Sequence, residues 1–387
     1  MRWNGAAVIV LLGGALAACR EATVPELPVA ASGARAVPGQ YIVVFREGVA
    51  DPAGLGRQLT RTHGGSLLFT YTSAIKGFAA RLPEPAVAAI TRNPLVAYVE
   101  PDQEFRVDVT QNMDANGDPW GLDRIDQTAL PLSRTYTYTT TGAGVHAYII
   151  DTGIWTLHPD FGGRANNVYD AFGATGEDCH GHGTHVSGTI GGATYGVAKN
   201  ASLHGVRVLS CAGLGLTSQI IAGIDWVWQN AVKPAVANMS LGGGLSTALN
   251  DATTNLWNSG VFVAVAAGND NANACQASPA SATGAFTAAA SEKTDAKASY
   301  SNWGNCVEAY APGSAIVSDF LAGTTMSLSG TSMASPHFAG VAVLYKATFG
   351  DAPSATVSNW IISNATNGVI TGNPGGTPNR LLSKGAL

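Results

Sequence analysis

Charge is scarce in this chain. Only 12% of its 387 residues are Asp, Glu, Lys or Arg, about half the ~25% of an average soluble protein. With 21 basic against 26 acidic residues the net charge is −5, and no Lys/Arg run breaks the pattern, so the basic footprint of a nucleic-acid binder is missing. Long apolar runs are nearly absent too. Ala6–Ala18 is the one sustained stretch, short for a permanent membrane span, and no second run approaches the ~18 residues that a span needs. There is no C-x2-4-C pair for a zinc site, no H-E-x-x-H, no G-x-S-x-G, no heptad array and no repeat. What is abundant is apolar residues, at 46%, and glycine, at 47 residues. That composition excludes global disorder and fits a compact, loop-rich exported protein. The length leaves room for two or three domains.

The N-terminus reads as an export signal. Arg2 precedes the apolar run, which closes on Ala15-Leu16-Ala17-Ala18-Cys19. A cut after Ala17 would use an ordinary A-x-A site. Leu16-Ala17-Ala18-Cys19 also resembles the bacterial lipobox, with Cys19 carrying the lipid. The second reading is favoured, because the first leaves Cys19 as an odd thiol in an exported protein. Without Cys19 four cysteines remain, Cys179, Cys211, Cys275 and Cys306. An even number suits an oxidising compartment, and four allow three pairings. Pairing neighbours in sequence closes two loops of similar length.

Residues 20–38 read as a linker. Residues 39–106 form a small unit: a strand at Tyr41–Phe45, a helix at Pro52–His63, strands at Ser66–Tyr71 and Gly77–Leu82, a helix at Pro85–Arg92 and a strand at Leu95–Val99. This order is the ferredoxin-like split motif. Residues 107–119, rich in Asp, Asn, Gln, Gly and Pro, read as an exposed boundary. From Trp120 to Leu387 short apolar runs alternate with helical stretches. The runs are Val145–Ile150, Ser202–Leu209, Ala235–Met239, Val261–Ala267 and Phe286–Ala290. The helical stretches are His182–Ile190, Thr217–Asn230, Ser246–Asn258 and Ser332–Ala347. The alternation predicts an α/β domain with a mostly parallel sheet covered by helices, whose ligands bind beyond the carboxyl ends of the strands.

Three polar motifs fall at such ends. Asp151-Thr152-Gly153 closes an apolar strand, and alone would be a turn. His180-Gly181-His182-Gly183-Thr184-His185 puts imidazoles among glycines, and alone could be a metal or structural cluster. Gly330-Thr331-Ser332-Met333-Ala334-Ser335-Pro336-His337 opens a long apolar helix, and alone Ser332 could be a simple N-cap. Together they supply a hydroxyl nucleophile, a base for it, and an acid to orient the base. Asp, His and Ser follow one another in the subtilisin order. Asn269, at the end of the strand from Val261, adds an amide donor that could face an oxyanion beside the Ser332 N–H.

These motifs resemble the subtilase family of serine endopeptidases. Trp120-Gly121-Leu122-Asp123-Arg124-Ile125-Asp126-Gln127, Asn238-Met239-Ser240-Leu241-Gly242-Gly243-Gly244 and the run Ala266–Cys275 narrow the resemblance to the proteinase K branch, nearest to aqualysin-like secreted bacterial proteases. The resemblance implies Asp151, His182 and Ser332 as the triad, with Asn269 in the oxyanion hole. It implies Gly213-Leu214-Gly215 and Ser240-Leu241-Gly242 as the segments holding an extended peptide, and an open primary pocket beside Ala266, Ala267 and Gly268. It also implies the pairs Cys179–Cys211 and Cys275–Cys306. His180 and His185 are rival bases, which the family pattern sets aside in favour of His182, and His185 and His337 read as packing or hydrogen-bonding residues. Leu214 stands where relatives often carry a small polar residue, which predicts more apolar outer subsites.

The resemblance extends to residues 40–104, through Gly77-Phe78-Ala79-Ala80-Arg81-Leu82, as an inhibitory propeptide that is an intramolecular inhibitor and folding aid. Its C-terminal segment, around Val107–Asn112, is expected in the cleft, with autocleavage between Phe105 and Asp118. A lipid on Cys19 would then stay with the propeptide, the only link to a membrane. Catalysis needs no cofactor. Structural calcium is implied at Glu308 and at Asp123, Asp126 and Gln127. The expectation is a monomeric, secreted, broad-specificity endopeptidase acting on polypeptides. Its rivals are a catalytically dead surface scaffold and an esterase or amidase using the same triad.

Overall fold

The computed structural model describes Met1 and residues 35–72, 76–104 and 109–387. Cys19, with its lipobox, and Phe105 lie outside the described residues. The chain divides into two units, Met1–Arg106 and Val107–Leu387.

In the first unit, β1 (Arg35–Phe45), α1 (Pro52–Thr62), β2 (Ser66–Tyr71), β3 (Gly77–Arg81), α2 (Glu84–Thr91) and β4 (Val96–Glu104) follow one another. The sheet order is β2-β3-β1-β4 and its pairings are antiparallel, as the split motif requires. Asp51 starts α1 by accepting from the Gly54 amide at 2.8 Å, with Pro52 in the first turn, where its missing N–H costs nothing. Val43, Phe45, Phe78, Ile90 and Val99 form the core. The strand expected from Tyr41 starts at Arg35 instead. Arg35 and Ala36 pair with Glu104 and Gln103 across a register shift, so residues 35–38 belong to the sheet rather than to the linker.

The second unit begins with β5 (Val109–Asn112), α3 (Trp120–Asp126), β6 (Thr135–Tyr138), β7 (His146–Asp151), β8 (Ala165–Asp170), α4 (His182–Gly191), β9 (Ser202–Arg207), α5 (Thr217–Asn230) and β10 (Ala235–Met239). It continues with β11 (Gly243–Gly244), α6 (Thr247–Asn258), β12 (Phe262–Ala266), β13 (Ala277–Ser278), β14 (Phe286–Ser291), β15 (Ala309–Pro312), β16 (Ile316–Asp319) and β17 (Thr325–Leu328). It ends with α7 (Thr331–Phe349), α8 (Ser354–Asn364), β18 (Thr366–Asn367) and β19 (Arg380–Leu381). The main sheet runs β18-β19-β15-β14-β12-β10-β7-β9-β8, parallel throughout except for β18 against β19. Strand order reverses between β7 and β10, the switch point where such sheets hold ligands.

One core lies between the sheet and α4, α7 and α8, and a second under α5 and α6. Phe262, Phe286 and Phe338 are fully buried. Their rings run in series, with centroids 5.8 and 4.7 Å apart, and clamp α7 to β12 and β14. Each such side chain is worth ~1.5–3 kcal/mol of burial. Among the described residues no helix is long and apolar enough to cross a membrane.

The second unit also departs from the sequence reading in places. The segment Val109–Asn112, expected in the cleft, is β5. It pairs antiparallel with β6, Gln111 opposite Tyr136, and the Gln111 amide donates to Thr194 O at 2.9 Å. Its main-chain groups find their partners in β6, a Thr/Tyr segment too short and polar to read as a strand. Strands β8 and β15 were also not anticipated. The first is polar and half-buried at the sheet edge, and the second is only four residues long and ends on Pro312.

Candidate active site

Strand β7 delivers Asp151 fully buried at its carboxyl end. The turn that follows packs backbone to backbone on the start of α4. Gly153 has φ +98°, and a Cβ there would lie 2.0 Å from Gly176 O, while a Cβ on Gly183 would lie 2.2 Å from Gly153 O. Only glycine tolerates both contacts. The Thr152 hydroxyl accepts from the Gly183 amide at 2.8 Å and donates to Asp178 at 2.9 Å. Asp178, also buried, accepts from the amides of His180 and Gly181, both at 2.9 Å, and of Thr184 at 3.0 Å, and from the Thr184 hydroxyl at 2.6 Å. It satisfies the open amides at the start of α4. No motif announces it. Its only sequence signal is an acid four residues ahead of the helix, where the dipole favours one.

The first residue of α4 is His182. Its Nδ1 lies 2.8 Å from Asp151 Oδ1, which also accepts from the Thr152 amide at 2.7 Å. Burial pulls this imidazole down, but the charge and hydrogen bond of Asp151, with Asp178 behind it, raise it above its ordinary value. The other histidines differ. Buried His185 donates from Nε2 to the carbonyls of Ile316 and Met326, both at 3.0 Å, and buried His337 bonds Met333 O at 2.8 Å. Burial pushes each down to about 4, so both are neutral structural groups. His180 is exposed, its ring centroid 6.2 Å from that of His182.

Ser332 stands in the first turn of α7, its hydroxyl donating to Ser240 O at 3.1 Å. Pro336, four residues on, has no N–H for the Ser332 carbonyl. The Ser240 hydroxyl fills that gap at 2.7 Å. It is in turn held by Asn238 Nδ2 at 2.9 Å, and the Ser335 hydroxyl bonds Asn238 Oδ1 at 2.7 Å. A buried polar chain thus pins the start of α7 to β10. Asn269 Oδ1 accepts from the amide and the hydroxyl of Thr331. Its Nδ2 and the Ser332 amide lie 3.5 and 3.6 Å from the point where a Cβ on Gly330 would sit. Two N–H donors therefore lie close together at the start of α7, the kind of pair that oxyanion stabilisation uses.

Two cavities meet at Ser332 and Asn269. One, of about 260 Å³, is lined by Leu241, Gly242, Ala266, Ala267 and Gly268. The other, of about 490 Å³, is lined by His180, His182, Phe320, Met326 and Leu328. Asn302, which sequence reasoning missed, shapes the first. It donates to Ala267 O at 2.9 Å and accepts from the amides of Asp270 and Ala272. Gly213-Leu214-Gly215 lines neither cavity. Gly213 adjoins His180, and Leu214 is 72% exposed. Disulfides join Cys179 to Cys211, with Cα atoms 5.0 Å apart, and Cys275 to Cys306 at 5.4 Å. The first ties the segment ahead of α4 to the loop bearing Leu214.

The four residues expected at calcium do not form a shell open to a cation. Asp123 accepts from the Ser133 amide and hydroxyl on Oδ1 and from the Arg134 amide on Oδ2. The Gln127 oxygen accepts from the Ser133 amide, and its amide donates to the carbonyls of Ala129 and Pro131. Asp126 pairs with Lys384 Nζ at 3.1 Å. Glu308 accepts from the Thr287 amide, and burial pushes its carboxyl up to about 7. At Asp123, Asp126 and Gln127 donors occupy lone pairs that a hard cation would use, whereas at Glu308 a donor reaches Oε2 alone. Among the described residues no group of three or more His, Cys, Asp or Glu is arranged for a metal.

A hydroxyl at a helix start, an imidazole leaning on a buried carboxylate and two converging N–H groups are the equipment of an acyl-transfer hydrolase on a parallel α/β sheet. Comparison with known proteins makes the class specific. Residues 142–382 match the subtilase family and residues 40–108 the peptidase inhibitor I9 family, and the chain belongs to the subtilases. It is a subtilisin-like serine peptidase carrying an I9 propeptide. The chain is 48% identical to the extracellular serine proteinase of Thermus sp. (strain Rt41A), covering 90% of each chain. It is 45% identical to alkaline serine exoprotease A of Vibrio alginolyticus, covering 90% of this chain and 67% of that one. A solved cold-adapted subtilisin-like serine proteinase superposes with a TM-score of 0.67 at 50% identity, over 69% of this chain and 98% of that one.

Proposed function

We propose that the protein is an exported endopeptidase of broad specificity that cleaves through an acyl-enzyme on Ser332. His182 takes the hydroxyl proton and returns it to the leaving amine. Asp151 holds the imidazole tautomer and stabilises the imidazolium without accepting the proton. Asn269 Nδ2 and the Ser332 amide bind the oxyanion. The single observation that carries the reading is the 2.8 Å contact between His182 Nδ1 and buried Asp151, because it leaves Nε2 as the nitrogen available to a nucleophile. The open pocket beside Ala266 and Gly268 supports loose selection for apolar or aromatic side chains. An extended substrate held by Leu241-Gly242 on one side and Leu214-Gly215 on the other bonds mainly through its own backbone, which demands little of its sequence. Exposed Leu214 adds an apolar outer subsite.

The proposal includes autoprocessing between Phe105 and Asp118 and action as a monomer. It includes a lipid on Cys19, supported by Leu16-Ala17-Ala18-Cys19, which processing would leave on the propeptide. Structural calcium is kept as a property of the folded domain, with Glu308 still a candidate ligand through the oxygen that has no donor and Asp123, Asp126 and Gln127 engaged by their present donors.

Time-resolved intact mass of the wild type beside Ser332→Ala tests the core of this. Loss of the N-terminal unit by the wild type alone supports a live triad. Full-length survival of both forms under mild warming sinks self-processing and favours a scaffold. Turnover of esters without peptides would favour an esterase. Detecting mature enzyme still at the membrane after propeptide loss would remove the lipid arrangement.

A further inference from the structure

The far end of α4 from His182 holds an arrangement that the peptidase chemistry does not use. Asp319, the last residue of β16, is fully buried, and neither of its carboxylate oxygens receives a bond from an N–H or hydroxyl donor, its hydrogen-bonding neighbour being another carboxyl, that of Asp160. Leaving a buried carboxylate without donors is costly. Its Oδ2 and Asp160 Oδ2 both reach into the space left by the missing side chain of Gly192, 2.9 and 2.5 Å from where a Cβ would lie, and Gly188 O is 2.9 Å from the same point. Gly188 opens the space from the other side, its own Cβ position being 2.7 Å from Asp319 Oδ2. Three oxygens, two of them carboxylate and the third the Gly188 carbonyl that also takes the Gly192 amide at 2.8 Å, thus surround one point at the C-terminal end of a helix, where the backbone dipole favours positive charge.

We propose that Asp160, Asp319 and the Gly188 carbonyl bind a hard cation, calcium being the best fit, that anchors the C-terminal end of α4. With only two acids in the set, water completes the shell. The affinity belongs with weak extracellular sites, at about 10⁻⁴–10⁻³ M.

Among the described residues Arg164 is the one nearby cation that acts on both acids, but it makes no hydrogen bond to either carboxylate. Arg164 directs its guanidinium to the carbonyls of Gly191, Ala201 and Asp160. His158 gives its Nε2 proton to Thr324 O at 2.9 Å and accepts the Asp160 amide on Nδ1, which stays 3.5 Å from Asp319. Tyr195 faces the same pair of acids. Asp160 Oδ1 accepts from the Thr194 hydroxyl at 2.6 Å, the Thr194 amide lies 3.0 Å from both of its oxygens, and Oδ2 also takes the Tyr195 amide at a long 3.5 Å, which leaves Oδ2 a lone pair for a cation. Burial first, and Asp160 second, push the Asp319 carboxyl up to about 8. Without a cation, the ionisation of Asp319 therefore weakens the fold as pH climbs from the ordinary Asp range toward that value. A cation would displace the proton, so binding near neutrality releases protons.

The test uses full-length protein carrying Ser332→Ala, stripped with chelator and titrated with calcium. Equilibrium dialysis should count one ion fewer per chain after Asp319→Asn, and likewise after Asp160→Asn, a half-buried position that tolerates the change if Asp319→Asn fails to fold. The calcium-dependent rise in melting temperature should shrink by several degrees in both, with matching loss of proton release. Asp123→Asn should leave all three readings unchanged. The proposal is overturned if both variants bind as many ions as the parent. It is equally overturned if calcium moves neither parent nor variants while Asp319→Asn melts higher in chelator, because a proton shared by the two acids would then account for the geometry.

Discussion

Thr331 holds Asn269 by two bonds to one oxygen, from its amide at 2.8 Å and its hydroxyl at 3.0 Å. That fixes which end of the carboxamide is free to donate, since an oxygen accepting two donors cannot be that end. The residue before Ser332 therefore orients the proposed oxyanion donor as well as starting α7. The Thr331 hydroxyl also accepts the Gly268 amide at 3.0 Å, which ties the pocket floor to the same anchor.

Asn269→Leu should lower kcat by about 10²–10³ with KM little changed, the size of loss expected for one oxyanion donor. Thr331→Val keeps the amide bond and loses the hydroxyl, and should lower kcat about tenfold, or ~1.4 kcal/mol. Steady-state kinetics on one peptide would check both, and a Thr331→Val enzyme with full kcat would refute the positioning role.

The pH profile should carry the mark of Asp151. His182 must be neutral to accept a proton, and its raised pKa puts the acid limb of kcat/KM above the ordinary histidine value. Asp151→Asn removes the raising charge, so the limb should move to lower pH while kcat falls by about 10⁴. The stability linkage has the opposite sense. The His182–Asp151 pair contributes fully below the unfolded histidine pKa and is lost as pH rises through the higher folded value. Melting curves of Ser332→Ala between pH 5 and 9, with and without Asp151→Asn, would measure it.

Asp178→Ala should cost about 3 kcal/mol or more, because it strands buried amides at the start of α4 along with the Thr152 and Thr184 hydroxyls. Since those groups position His182, activity at low temperature should fall with stability. Calorimetry with kinetics would separate this from a purely local effect, which would lower the melting temperature alone.

The two disulfides should differ in consequence. Paired Cys→Ser changes at Cys275 and Cys306 should cost about 2–4 kcal/mol and leave KM unchanged. The same change at Cys179 and Cys211 should cost a similar amount and also raise KM, since that bridge ties the Leu214 loop to the segment ahead of His182. Equal KM effects from both pairs would contradict this.

The fold of both units was legible in the sequence because their strands are short apolar runs and their helices begin and end on recognisable residues. Chain order alone brought Asp151, His182 and Ser332 to strand and helix ends. The segment Val109–Asn112 was misjudged because an extended polar stretch carries no sign of which edge it pairs with. The acids at Asp123 and Asp126 looked like cation ligands, since sequence records oxygen atoms but not the Ser133, Arg134 and Lys384 donors already on them.

The amino-acid sequence by itself determined the family, the order of the catalytic groups and which cysteines could pair, because these depend on residue type and chain order. Tertiary structure alone decided which oxygens are satisfied. Asp178 became an anchor, Ser240 the partner of the Ser332 carbonyl freed by Pro336, 92 positions away in the chain, and Asp319 a buried acid facing Asp160 rather than a donor group. Hydrogen bonding is set by where the folded backbone brings donors and acceptors together, and no local pattern encodes that meeting.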